Sequence, residues 1–266
     1  MVSWLALSND EEWIAAGTSN GLFFLDAKTH EKVSTHKEDT WFYAVDFSPD
    51  STRVVGGSRD GLAAIWAVTS GKQVQRLHHN DWVKAAKYSL QGARIVTATE
   101  HSIKVWDTND GHLLVDIPVE LHPGHSTSLL WSNNHIFVVS DGKIKEFDAS
   151  SGSPASEWTA PKSIWDSCFA LSHHGEFLAH SSNDTVTFWD TSTHTQLGFI
   201  RHTQDIRSIT FSPGDRLLAI GGSQGKITIK EVNDVPLSSY CTVSIVYLRL
   251  ALLPIHFALF CVGHRN

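Results

Sequence analysis

An all-β fold built from six copies of a four-stranded antiparallel unit is predicted for this 266-residue chain by three observations. Apolar runs rich in Val, Ile, Phe, Trp and Thr end at Leu25-Asp26, Trp66-Ala67, Trp106-Asp107, Phe147-Asp148, Trp189-Asp190 and Lys230-Glu231, spaced by 40 to 42 residues. A second signal keeps the same beat: Phe47-Ser48-Pro49-Asp50 returns as Tyr88-Ser89-Leu90-Gln91, Leu171-Ser172-His173-His174 and Phe211-Ser212-Pro213-Gly214. No segment sustains a helical period beyond one or two turns. A period of roughly 40–45 residues ending in a Trp-Asp-like pair is the sequence sign of a propeller blade, so the expected architecture is a β-propeller.

Each unit reads as strands a, b, c and d joined by three turns. In the second unit the strands fall near Tyr43–Ser48, Arg53–Gly57, Leu62–Ala67 and Gln73–Leu77. The a–b turn carries Ser48-Pro49-Asp50, where proline pre-sets φ for the first central position. The b–c turn carries Gly57-Ser58-Arg59-Asp60-Gly61, repeated as Gly222-Ser223-Gln224-Gly225 and more loosely as Gly17-Thr18-Ser19-Asn20-Gly21; Gly and Asn supply the positive φ a hairpin needs. Thr69-Ser70-Gly71, Asn109-Asp110-Gly111 and Ser150-Ser151-Gly152 follow strand c. One such blade cannot bury both faces, whereas stacked neighbours can. The units are expected at residues 3–36, 42–78, 83–117, 127–158, 166–201 and 206–236, forming one domain over residues 1–236.

On these residues the chain resembles the WD-repeat (WD40) family across about residues 3–235, with Trp ending strand c in three copies. The resemblance implies a propeller that serves as a binding platform. It also implies a hydrogen-bond chain within a blade, from a His before strand a through a Ser or Thr on strand b and an Asp in the b–c turn to the Trp of strand c. His79, His202 and His122 fall on the His position; Ser58, Asp60 and Trp66 fit in the second unit, where His36 is two residues out of place. Trp106 matches in the third unit, but Glu100 stands where Asp is usual. The fifth has Asn183-Asp184 and Trp189 with Lys162 in the His slot. No unit is complete, so irregular blades of modest stability are expected, with these residues in a structural role.

Candidate binding residues come from the approach to strand a. Trp41, Trp82 and Trp165 share one repeat position, with His125 and Asp205 at the matching places of the fourth and sixth units. In a propeller that position lies on the face where the d–a loops gather. Trp is enriched at interface hot spots, so the first reading is a protein-binding platform of Trp41, Trp82, Trp165, His125 and Asp205. The second is that the rings cap blade junctions.

Other chemistries find little support. A net charge of −7, with no basic run longer than two residues, argues against a generic nucleic-acid surface. Gly221-Gly222-Ser223-Gln224-Gly225 matches a nucleophile elbow, but Lys226-Ile227-Thr228-Ile229-Lys230 after it reads as a strand where that elbow needs a helix. Sixteen histidines invite a metal, yet His78-His79 and His173-His174 are adjacent pairs and His122-x-x-His125 lacks a nearby carboxylate or thiol set. Cys168, Cys241 and Cys261 read as free thiols in a reducing compartment. Met1 to Asn9 has no secretory pattern. No catalytic residue, cofactor, metal or small-molecule substrate is expected, and a cytoplasmic setting is the default, with the nucleus left open.

The repeat breaks after Asp234. Ser238 to Phe260 is the most apolar stretch of the chain, and residues 237–266 form a separate tail. Cys241–Leu248 could supply the fourth strand of the last blade; the stretch could span a membrane, against which Arg249 and Pro254 argue; or it could lie outside the evolved domain. With no strand before the first strand a, closure requires the tail, or the chain is a piece of a seven-bladed or longer array. The function expected is a non-catalytic scaffold for protein or peptide partners; the alternatives are a propeller-fold hydrolase or lyase, and a membrane-tethered propeller.

Overall fold

The computed structural model describes residues 2–37, 39–121, 129–132, 134–140, 142–161, 168–173, 175–212 and 214–232. His122, His125, Lys162, Trp165, and the tail with Cys241–Leu248 lie outside the described residues. The chain divides into two compact units, the first carrying strands β1–β16 and the second β17–β23.

In the first unit, β1 (Val2–Leu7), β2 (Trp13–Thr18), β3 (Gly21–Asp26) and β4 (Lys32–Lys37) form blade one. Blade two holds β5 (Phe42–Phe47), β6 (Arg53–Ser58), β7 (Leu62–Ala67) and β8 (Gln73–His78). Blade three holds β9 (Ala85–Tyr88), β10 (Arg94–Ala98), β11 (Ser102–Asp107) and β12 (Leu113–Pro118). Blade four holds β13 (Leu129–Ser132), β14 (His135–Ser140), β15 (Lys143–Asp148) and β16 (Pro154–Thr159). In the second unit, β17 (Phe169–Leu171), β18 (Phe177–Ser182), β19 (Thr185–Asp190) and β20 (Gln196–Arg201) form blade five, and β21 (Ile206–Phe211), β22 (Leu217–Gly222) and β23 (Ile227–Glu231) form blade six. Every sheet is an antiparallel meander, the all-β blade of a propeller. The blade-two strands lie within one residue of the sequence-based boundaries. No helix among the described residues is long and apolar enough to cross a membrane.

The core lies between blades. Phe24 of blade one packs with Phe42, Val54 and Trp66 of blade two, all essentially without solvent exposure. Val55, Ile65 and Leu77 of blade two meet Val83, Ile95 and Trp106 at blade three. Val96 and Val105 of blade three meet Leu129, Trp131 and Ile136 of blade four. In the second unit Phe188 joins Ile209, Phe211 and Leu218. Blades two and three thus bury both faces, as a single blade cannot. Gly57 permits one of these close approaches: a Cβ there would sit 2.8 Å from the backbone oxygen of Val83.

Blade six shows three strands among the described residues, where the repeat led to four. The five complete blades share a five-residue c–d turn whose fourth residue has positive φ (His30, Gly71, Gly111, Gly152, His194) and donates to the last residue of strand c. Asp26, Asp148 and Asp190 accept two further N–H bonds each in that turn. After β22 the sequence carries Lys230-Glu231 in the Trp-Asp place.

Candidate protein-binding surface

Antiparallel alternation puts the b–c turn and the start of strand a at the same end of each sheet. A backbone bond ties blade two to the loop entering blade three at that end, Val83 N–H donating to Ser58 O at 3.0 Å, and within blade two Arg59 N–H donates to Trp41 O at 2.9 Å. Gly61, with φ of +81°, lets the b–c turn run against the d–a loop, where its carbonyl accepts His79 N–H at 2.8 Å.

On this frame three side chains meet. The Trp82 ring stacks on Tyr43, centroids 6.0 Å apart at 22°. The Arg59 guanidinium lies over the Trp82 ring, 4.6 Å from its centroid. Trp82 and Tyr43 are half-buried and Arg59 is exposed. Burial raises the Tyr43 pKa, and the Arg59 charge partly offsets that rise. Trp82 therefore bridges a blade junction and still presents surface.

Beside it runs a polar strip of blade three. Asp81 Oδ1 accepts the Trp82 N–H at 2.7 Å, while Oδ2 is shut from solvent and has no hydrogen-bond partner among the described residues. Ligand atoms of Asp81, Glu100 and His101 lie within 4.8 Å of one another. Glu100 Oε1 accepts from the Lys84 ammonium at 2.5 Å, and the Lys84 side chain is only 2% exposed. His101 Nδ1 lies 3.2 Å from Glu120 Oε2.

Of the sequence-based candidates, Trp82 sits in this cluster. Trp41 is half-buried at the same end, joined to it through the backbone bond to Arg59. Asp205 belongs to the second unit, half-buried, its carbonyl accepting Ser223 N–H at 2.8 Å. His125 and Trp165 lie outside the described residues. Tyr43 and Arg59 were missed by sequence reasoning; the available signal was Arg59 as the long side chain at the head of a turn otherwise made of small and acidic residues. Asp81 and Glu120 were missed as well, and Glu100 was noted only as a departure from the repeat.

The WD domain, G-beta repeat family matches at residues 28–67, 71–107 and 193–229. The chain carries WD repeats at these three positions. It is 25% identical over 234 residues to the U3 small nucleolar RNA-associated protein 15 homolog of Xenopus laevis, covering 83% of this chain and 44% of that protein. It is 32% identical over 77 residues to small ribosomal subunit protein RACK1z of Arabidopsis thaliana, covering 29% of this chain and 24% of that one. WD repeat-containing protein 18 of Danio rerio is 22% identical over 260 residues, 86% of this chain and 59% of that one. The chain thus spans less than two thirds of these relatives. Among solved structures, Kuenenia stuttgartiensis hydrazine synthase superposes with a TM-score of 0.75 at 14% identity, over 88% of this chain and 77% of that one; at that identity the likeness is one of fold.

The WD-type polar network is partly assembled. In blade two Ser58 Oγ donates to Asp60 Oδ1 at 2.5 Å, but the buried Trp66 Nε1 finds no acceptor among the described residues. In blade three Trp106 Nε1 donates to Thr97 Oγ1 at 2.8 Å. The His79 ring meets Trp106 edge-on at 5.3 Å with both nitrogens unbonded. Burial, reinforced by Lys104 and His78, pushes His79 down to about 4. In blade five Trp189 Nε1 has no acceptor among the described residues. In blade six His202 Nδ1 accepts Gln204 N–H at 3.2 Å, and Nε2 lies 3.0 Å from Thr228 Oγ1; Lys230 occupies the Trp place.

Proposed function

We propose that this WD-repeat protein is a non-catalytic scaffold that holds a protein partner on the loop end of blades two and three, centred on Trp82. The observation that carries this reading is the meeting of Trp82, Tyr43 and Arg59, residue types over-represented among interface hot spots. The backbone bonds around them fix the platform in advance, so little ordering entropy is spent on binding. Relatives named for small nucleolar RNA-associated and ribosomal roles favour an intracellular assembly of proteins, with RNA-containing complexes among its settings.

Trp82→Ala is expected to lower affinity for the captured partner about 30-fold, the equivalent of a hot-spot loss of roughly 2 kcal/mol. The check is quantitative affinity capture with wild type and variant, alongside their melting temperatures. A folded variant that captures the same partners undiminished would remove Trp82 from the interface.

A further inference from the structure

The surface around Trp82 also carries a charge pattern that specifies its partner. Asp39, Asp60, Asp81, Glu100 and Glu120 lie in the b–c turns and d–a loops at this end of blades two and three; Arg59 and Lys84 are the facing cations among the described side chains. Lys84 is buried and spent on Glu100. The remaining acids are left largely uncompensated. Asp81 Oδ2 in particular receives no hydrogen bond among the described residues. Glu120 is 88% exposed and stands with His101 at the outer end of the strip.

We propose that the partner segment docking on this platform is basic: an arginine- or lysine-bearing stretch whose cationic side chain sits on the Asp81–Glu100–Glu120 strip while its neighbours cover Trp82. This rests on the platform reading and names the chemistry it selects. An acidic segment would be repelled, and like charges across an interface are costly. A divalent cation fits the strip less well. Glu100 already holds a buried ammonium at 2.5 Å that a metal would have to displace, and His101 is 63% exposed and turned to Glu120.

The test uses the full chain with fluorescein-labelled hexa-arginine and hexa-glutamate peptides, read by anisotropy at low and high salt. Hexa-arginine binds and hexa-glutamate does not, with the affinity falling as salt screens it. Asp81→Asn, which keeps the acceptor for the Trp82 N–H, and Glu120→Gln each weaken hexa-arginine binding by about fivefold or more. Asp110→Asn makes the same charge change in a c–d turn at the opposite end and changes binding less than about twofold. Equal losses in all three variants, meaning attraction to the net charge alone, would overturn the proposal. So would binding of hexa-glutamate, failure to bind hexa-arginine, or saturable zinc binding lost in Asp81→Asn with hexa-arginine unaffected by that change. Trp82→Ala separates the two readings. If it abolishes partner capture while the carboxylate variants leave hexa-arginine binding unchanged, the basic segment falls and the platform stands. If the carboxylate variants weaken hexa-arginine but Trp82→Ala leaves capture intact, the platform falls and the cation-binding strip stands.

Discussion

Trp66→Ala is expected to destabilise the fold by about 3–5 kcal/mol, the usual cost of truncating a fully buried aromatic. Trp66 has no solvent exposure and fills the seam between blades one and two, where it meets Phe42 at 5.7 Å and His36 at 5.8 Å. The opposing strand is built around it: a Cβ at Gly56 would lie 3.0 Å from Trp66 Cζ3. Against a total margin of roughly 5–15 kcal/mol, such a loss removes a large share of the fold's stability. Trp66→Phe is a sharper probe. Because Trp66 Nε1 has no acceptor among the described residues, phenylalanine gives up volume but strands no buried group. Trp106→Phe also takes the donor from Thr97 Oγ1 and is expected to cost about 1 kcal/mol more. Urea unfolding of the three variants measures the ranking; equal midpoints for Trp66→Phe and Trp106→Phe would contradict it.

Acid is expected to loosen the fold well above the range where carboxylates protonate. His180 is fully buried in β18, stacked on Phe169 at 4.5 Å, with neither ring nitrogen hydrogen-bonded among the described residues. Burial alone pushes it from 6.5 to about 4. His79 is pushed equally far by burial, with Lys104 and His78 adding to it. Both folded values lie below the unfolded one, so the unfolded chain binds more protons through the window from 6.5 down to about 4, and stability falls with pH there. Each histidine contributes a slope of about 1.4 kcal/mol per pH unit inside the window and nothing above it. His180→Phe keeps a ring against Phe169 and removes the titration. It should flatten unfolding free energy measured between about pH 7 and about pH 4.5 by that amount; an unchanged slope would mean His180 takes up its proton as readily in the folded chain as in the unfolded one.

The fold was legible because its information is local and repeated. Positive-φ turn residues, a Pro at the a–b turn and a Trp or Phe ending strand c recur at 40 to 42 residues, and any one copy corrects the reading of another. In the sixth blade the code is weaker: Lys230-Glu231 stands where the other copies carry a Trp-Asp-like pair. The binding surface was legible only in part. Trp82 stood out by repeat position, but Tyr43 sits in a strand and Arg59 in a turn, 16 residues apart, and only blade packing brings both to Trp82. Glu100 was visible as an exception to the repeat. Its tie to Lys84 and its place beside Asp81 depend on a d–a loop folding over a b–c turn, which no spacing encodes.

Site-specific photocrosslinking in cells tests the central claim, that the loop end of blades two and three meets the partner. Asn80 is exposed in the d–a loop beside Trp82, and Asn109 is exposed in a c–d turn at the opposite end of blade three. With p-benzoylphenylalanine at one position or the other, the expected result is a partner crosslinked from residue 80 and absent from residue 109. A partner crosslinked from residue 109 and not from residue 80 would contradict it.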